Sequence, residues 1–189
     1  MAFTMGFVIM SVELLGGKIL APYFGSSIHV WGSIITVFML ALSIGYALGG
    51  LYSRRAPDIR KFGTLFVIAS ILLWSIVFFT EPLGDFVFLR IEDERAGALV
   101  FCMLIFFLPT TIMGFASPYA VSLTTTSKET SGMSAGFLYF VSTIGSALGT
   151  LMTSFFFALY FETNTIIKFC SGFLFLLGII AILQYRKES

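Results

Sequence analysis

Charge is what this sequence has least of. Of 189 residues, 11 are Lys or Arg and 10 are Asp or Glu, 11% in all, where a soluble domain carries about 25%. The net charge of +1 leaves no basic footprint for nucleic acid. Cys102 and Cys170 both lie in apolar runs, which suits neither a disulfide framework nor a metal site of CxxC spacing. His29, the single histidine, sits in Ser26-Ser27-Ile28-His29-Val30-Trp31 without a cysteine or carboxylate close by in sequence. No metal site is expected. No Ser-His-Asp or Cys-His set, phosphate loop or paired acidic motif stands in the apolar runs, so neither catalysis nor a cofactor is expected. The start, Met1 to Met5, has no basic region of the signal-peptide kind, and the first apolar run is expected to stay as a helix.

What the sequence has in excess is apolar surface. Hydrophobic residues make up 58% of it, including 23 Phe, and the mean hydropathy is +0.98. A water-soluble core of this size could not hide them. Soluble enzymes, nucleic-acid binders and disordered regulators are excluded together, and the lipid bilayer becomes the first partner.

A helix needs about 20 apolar residues to cross about 30 Å of hydrocarbon. Six stretches qualify: 2–21, 28–53, 60–80, 97–126, 133–160 and 164–185. Pro57-Asp58, Glu81-Pro82, Lys128-Glu129 and Glu162 to Asn164 mark breaks between them. Pro109 and Pro118 fall inside the overlong fourth stretch, which predicts a kinked or partly unwound helix. Six crossings put both termini on one side with the loops at 54–61 and 127–132. That side holds seven basic residues, Arg54, Arg55, Arg60, Lys61, Lys128, Arg186 and Lys187, against Arg90, Arg95 and Lys168 opposite. The bias predicts cytoplasmic termini, with a prokaryotic cell membrane as the expected setting and the acidic 81–95 loop outside.

The chain also repeats itself. Ser43-Ile44-Gly45-Tyr46-Ala47-Leu48-Gly49-Gly50-Leu51-Tyr52-Ser53 aligns with Thr143-Ile144-Gly145-Ser146-Ala147-Leu148-Gly149-Thr150-Leu151-Met152-Thr153 at an offset of 100, with six of eleven positions identical. Ala21-Pro22-Tyr23 matches Ser117-Pro118-Tyr119 at an offset of 96. The matched stretches run in opposite directions. The expected fold is therefore an all-α membrane protein, one transmembrane domain over 1–189. Its six helices form two inverted three-helix repeats, about 1–80 and 97–185, resembling half of a major-facilitator transporter. Gly45, Gly49, Gly145 and Gly149 read as helix-packing positions, because small residues four apart let backbones approach closely in lipid.

Glu13 falls near the middle of the first span, with Lys18 five residues on. An acid inside a membrane is a functional candidate by default. A spacing of five puts the two about 140° apart round the helix, so each is expected to find its own surroundings. At the 96 offset the counterpart of Glu13 is Pro109. In a half-transporter these spans line the cavity, which makes Glu13, Lys18, Tyr23, Pro109 and Tyr119 the cavity or substrate candidates. Tyr23 is equally well read as an interfacial anchor, and Lys18 as a snorkelling lysine.

From Glu13-Leu14-Leu15-Gly16-Gly17-Lys18-Ile19-Leu20-Ala21-Pro22-Tyr23-Phe24-Gly25-Ser26-Ser27 to Trp31-Gly32, the sequence resembles the membrane domain of spermidine-synthase-like integral membrane proteins. Their pattern is an acid, a basic residue five later, Ala-Pro-x-x-Gly-Ser-Ser and a Trp, with Lys18 here where Arg is commoner. The resemblance continues through 42–50, Met113 to Pro118 and 136–149. In many relatives this part precedes an aminopropyltransferase-like domain. Here the sequence reaches Ser189 without one and without a Gly-rich nucleotide loop, so the resemblance implies a polyamine connection without catalysis by this chain. Two functions are expected from this. One is a half-transporter for a polyamine or other small cation, working as a homo-oligomer or with a partner subunit. The other is a membrane anchor or scaffold for a separate aminopropyltransferase-like enzyme or another membrane complex.

Overall fold

The computed structural model describes residues 1–54, 57–125 and 131–188, apart from the side chains of 131 and 185–188. Their regular structure is all helix, without a strand among the described residues. Six spans are long and apolar enough to cross a membrane: Ala2–Phe24, Ile28–Ser53, Ile59–Arg90, Glu94–Thr124, Gly132–Tyr160 and Thr163–Gln184, numbered 1 to 6 below. The chain is a multi-pass membrane protein. Of the residues used for the charge bias and the span breaks, Arg55 and Lys128-Glu129 lie outside the described residues, as do the side chains of Arg186 and Lys187.

Span 3 is longer than its sequence suggests. Glu81-Pro82 does not end it; the helix runs to Arg90 with Pro82 inside. Proline lacks the N–H that would reach back four residues, but buried Gly84 and Val87 hold the turns beyond it in place. Phe88 meets Phe24 edge-on at 6.4 Å. The 81–95 segment is thus mostly helix, and only Ile91 to Asp93 link spans 3 and 4. There the Asp93 side chain accepts from the Arg95 N–H at 3.0 Å and starts span 4.

Span 4 runs unbroken through Pro109 and is interrupted only at Phe115. Pro118 cannot donate to the carbonyl of Gly114, and the Phe115 N–H reaches back three residues, to Ile112, at 3.2 Å. Span 5 changes pitch near its end, where Thr153–Phe157 is a π-helical turn before Ala158–Tyr160 closes the span.

Three pairings dominate the packing: span 1 with span 5, span 2 with span 4, and span 3 with span 6. Span 1 is the central helix. Its apolar window is 67% buried, whereas that of span 5 is only 17% buried. Val12, Leu15 and Leu20 of span 1 meet Ile34 and Phe38 of span 2, Leu73 of span 3 and Phe101 and Phe106 of span 4 in one core. Outward-facing residues such as Phe78, Leu89 and Phe169 are exposed, as lipid-facing positions should be.

Glycines set the helix seams within the chain. A Cβ on Gly45 would strike the carbonyl oxygen of Thr111, and one on Gly49 would come within 2.7 Å of the Phe115 Cα. On the other side, a Cβ on Gly145 would strike the carbonyl oxygen of Phe3, and one on Gly149 that of Phe7. Lipid is as apolar as leucine, so contact of this closeness, rather than a drive out of water, holds such helices together. Spans 3 and 6 touch at Gly63 and Gly178. One further hydrogen-bonded contact joins them: the Ser171 hydroxyl donates to the Ser70 carbonyl at 2.7 Å and lies 3.2 Å from the Ser70 hydroxyl.

Candidate functional site

Span 1 carries Glu13 on the side that meets spans 2 and 4. Its neighbour Gly16 faces Ile34 and Phe106, with Cβ positions 3.4 and 3.5 Å from them, and Gly17 presents its backbone to the ring of Trp31. Three residues are about 60° short of a full turn, so Glu13 projects between those two glycine faces, one turn deeper. It is half-buried. Among the described residues it has neither a hydrogen bond nor an ion pair.

The same contact fixes what lies at its depth. Spans 1 and 4 run in opposite directions, so three residues back from Gly16 matches three or four residues on from Phe106, a step of about 5 Å. That level holds Pro109 and Thr110. Pro109 is buried, and it leaves the Ile105 carbonyl without the amide that would normally reach it. Thr110 is completely buried, and its hydroxyl has no hydrogen-bond partner among the described residues. A buried hydroxyl left unpaired costs about 1–3 kcal/mol, which makes Thr110 the unusual residue of this helix. A carboxylate, a hydroxyl and a free carbonyl oxygen, all acceptors, thus stand at one level of an apolar bundle. Chemistry of that kind suits a cation.

The other sequence candidates go elsewhere. Lys18 stands on the opposite side of span 1 from Glu13, and its ammonium donates to the carbonyl oxygen of Ala158 at the end of span 5. Tyr23 lies about 15 Å along the helix from Glu13; its ring fills the space beside Gly84 and lies 5.8 Å from the ring of Phe101. Tyr119 is buried near the other end of the bundle, stacked on Phe62 at 5.6 Å. Of the five, the fold brings only Glu13 and Pro109 to one level.

No family model, curated protein or solved structure matches the chain. The site therefore has to be read from its own residues. Two features escaped the sequence reading. Thr110 gave a weak signal, a hydroxyl directly after a mid-span proline. Ser11 gave none: its hydroxyl accepts from Thr153 at 2.9 Å and donates to the Phe7 carbonyl at 2.8 Å, joining span 1 to the π turn of span 5.

Two hollows lie elsewhere among the described residues. One, of 380 Å³, lies at the end where spans 3 and 4 connect, between His29 and the acidic stretch Glu92 to Glu94. The other, of 410 Å³, opens between spans 1, 5 and 6, and six of its eleven lining residues are phenylalanine.

Proposed function

We propose that this chain is a half-transporter-like membrane protein that moves a small cation, working as a dimer or with a partner subunit. Glu13 carries the proposal: an acid at mid-membrane, without a partner among the described residues, level with an unpaired buried hydroxyl. Charged groups inside a bilayer are costly and persist where they serve a pathway. A polyamine is the cation class favoured by the sequence resemblance to spermidine-synthase-like membrane proteins.

An inverted repeat supports the transporter reading, with a register that differs from the one drawn from Pro-Tyr. Gly6 packs on the Ser142 carbonyl and Gly114 on the Leu42 carbonyl. The first pair becomes the second if span 1 maps to span 4 at an offset of 108 and span 2 to span 5 at 100. At 108, Met5-Gly6-Phe7 falls on Met113-Gly114-Phe115, identical at all three positions. The same operation carries Gly63–Gly178 onto Ser70–Ser171 across spans 3 and 6. A pairing of 1 with 5, 2 with 4 and 3 with 6 is what such a two-fold would give. In this register the counterpart of Glu13 is Val121 rather than Pro109, so the acid belongs to one repeat alone. The excess of basic residues on the side of the termini supports a cytoplasmic location for both.

Uptake into proteoliposomes tests the function. Labelled spermidine should accumulate with the native chain, and Glu13→Gln should lower the rate at least about tenfold, the scale set by removing a buried charge partner. Unchanged uptake in Glu13→Gln would remove Glu13 from the mechanism, and no uptake by the native chain would leave the scaffold function in its place. The little-buried span 5 favours a partner in either case, and copurification in mild detergent identifies whether it is a second copy or an aminopropyltransferase-like enzyme.

A further inference from the structure

The hollow between spans 1, 5 and 6 is long and apolar, with a cation beside one end. Three pairs of phenylalanines line it, each spaced four apart: Phe3 and Phe7, Phe157 and Phe161, Phe169 and Phe173. A spacing of four stacks side chains along one helix face, so the hollow follows the helix axes. From Thr165 to Phe173 alone it extends about 12 Å. Its 410 Å³ is of ligand size. Phe161, Phe169 and Phe173 are exposed, so it opens sideways, toward the lipid.

Lys18 lies beside the end nearest the Phe161–Glu162 turn, next to the lining rather than part of it. It shares the face of span 1 that carries Thr4, Phe7 and Val8, and its ammonium sits on Ala158, between Phe157 and Phe161 of the lining. Ala158 belongs to the last turn of span 5, where the helix dipole is negative and favours a cation. That bond uses one of three ammonium donors, and the side chain is exposed. An apolar trough with a cation of spare donors beside its end matches an apolar tail with an anionic head.

We propose that this trough binds one acyl chain of an anionic phospholipid, with the phosphate on Lys18. The site is separate from the Glu13 face and does not depend on the transport function.

Native mass spectrometry in mild detergent tests it, with phosphatidylglycerol and phosphatidylcholine of identical chains as probes. The native chain should retain one phosphatidylglycerol with about fivefold preference, the scale of one lysine at an anionic headgroup. Lys18→Gln should bring the two lipids to parity without changing retention of phosphatidylcholine. Thr165→Trp, which fills the trough from an exposed position, should lose both. Equal retention of the two lipids by the native chain overturns the phosphate assignment, as does a free fatty acid as the retained species. Retention undiminished in Thr165→Trp overturns the trough as the site. Each variant's elution volume on size exclusion checks that it is folded, and the native comparison stands even if a variant is not.

Discussion

The hydroxyl of Tyr119 holds the backbone of Asp58 at both polar atoms, accepting from its N–H at 3.0 Å and donating to its carbonyl at 3.2 Å. Asp58 in turn begins span 3, its side chain accepting from the Arg60 N–H at 2.8 Å. One buried ring at the end of span 4 thereby fixes where span 3 starts. Tyr119→Phe keeps the stack on Phe62 and removes both hydrogen bonds. Asp58 is only half-buried, so each bond contributes about 0.5–1.5 kcal/mol, and thermal unfolding in detergent should show a destabilisation of about 1–3 kcal/mol for the two. An unchanged melting temperature would mean that water replaces the hydroxyl at no cost.

Gly45→Ala and Gly145→Ala should each destabilise by about 1–3 kcal/mol, the usual effect of overpacking, because each methyl would strike a backbone carbonyl. Gly32→Ala should not, since nothing among the described residues lies within 4 Å of a Cβ there. Ala also favours helix over Gly. Monodisperse yield and melting temperature of the three variants check this contrast, and equal effects at all three positions would contradict the seam assignment.

Thr110→Val separates a functional hydroxyl from a structural one. The valine has nearly the same shape and removes a buried polar group without a partner, so stability should hold or rise. Cation uptake should fall if the hydroxyl belongs to the pathway. A stable Thr110→Val protein with full uptake would exclude Thr110 from it.

Ser70 and Ser171 offer a measure of polar contact between spans 3 and 6. A double-mutant cycle with alanine at each position should give a coupling of about 0.6 kcal/mol, the average for such contacts between membrane helices. No coupling would show that the Gly63–Gly178 contact alone aligns the two spans.

Much of this architecture was legible in residue order. Six apolar runs gave six spans, because the length of a crossing is set by the bilayer and not by tertiary detail. The four glycines of the 100 offset were legible as seams, although their partners were not: only the fold shows that Phe3, Phe7, Thr111 and Phe115 receive them. Pro82 misled, since a proline signals a helix end only when the next turn has nothing to pack against. Glu13 stood out through its charge alone, whereas Thr110 is an ordinary residue until its burial is known. The phenylalanine trough was written in three i,i+4 pairs, but nothing in the order says that three distant pairs converge.

The π turn at Thr153–Phe157 acts as a phase corrector. Residues four apart on an α-helix drift by about 40° each step, so Gly145, Gly149, Thr153, Phe157 and Phe161 would wind to opposite sides of a regular helix. A wider turn takes in extra residues per revolution and winds much of that drift back. The glycines can then lie against span 1 while the phenylalanines beyond still look into the trough. Span 5 is in effect two rulers spliced out of step, and deleting a single residue at the splice would turn the π turn into regular α-helix while leaving both the glycine end and the aromatic end facing as they do.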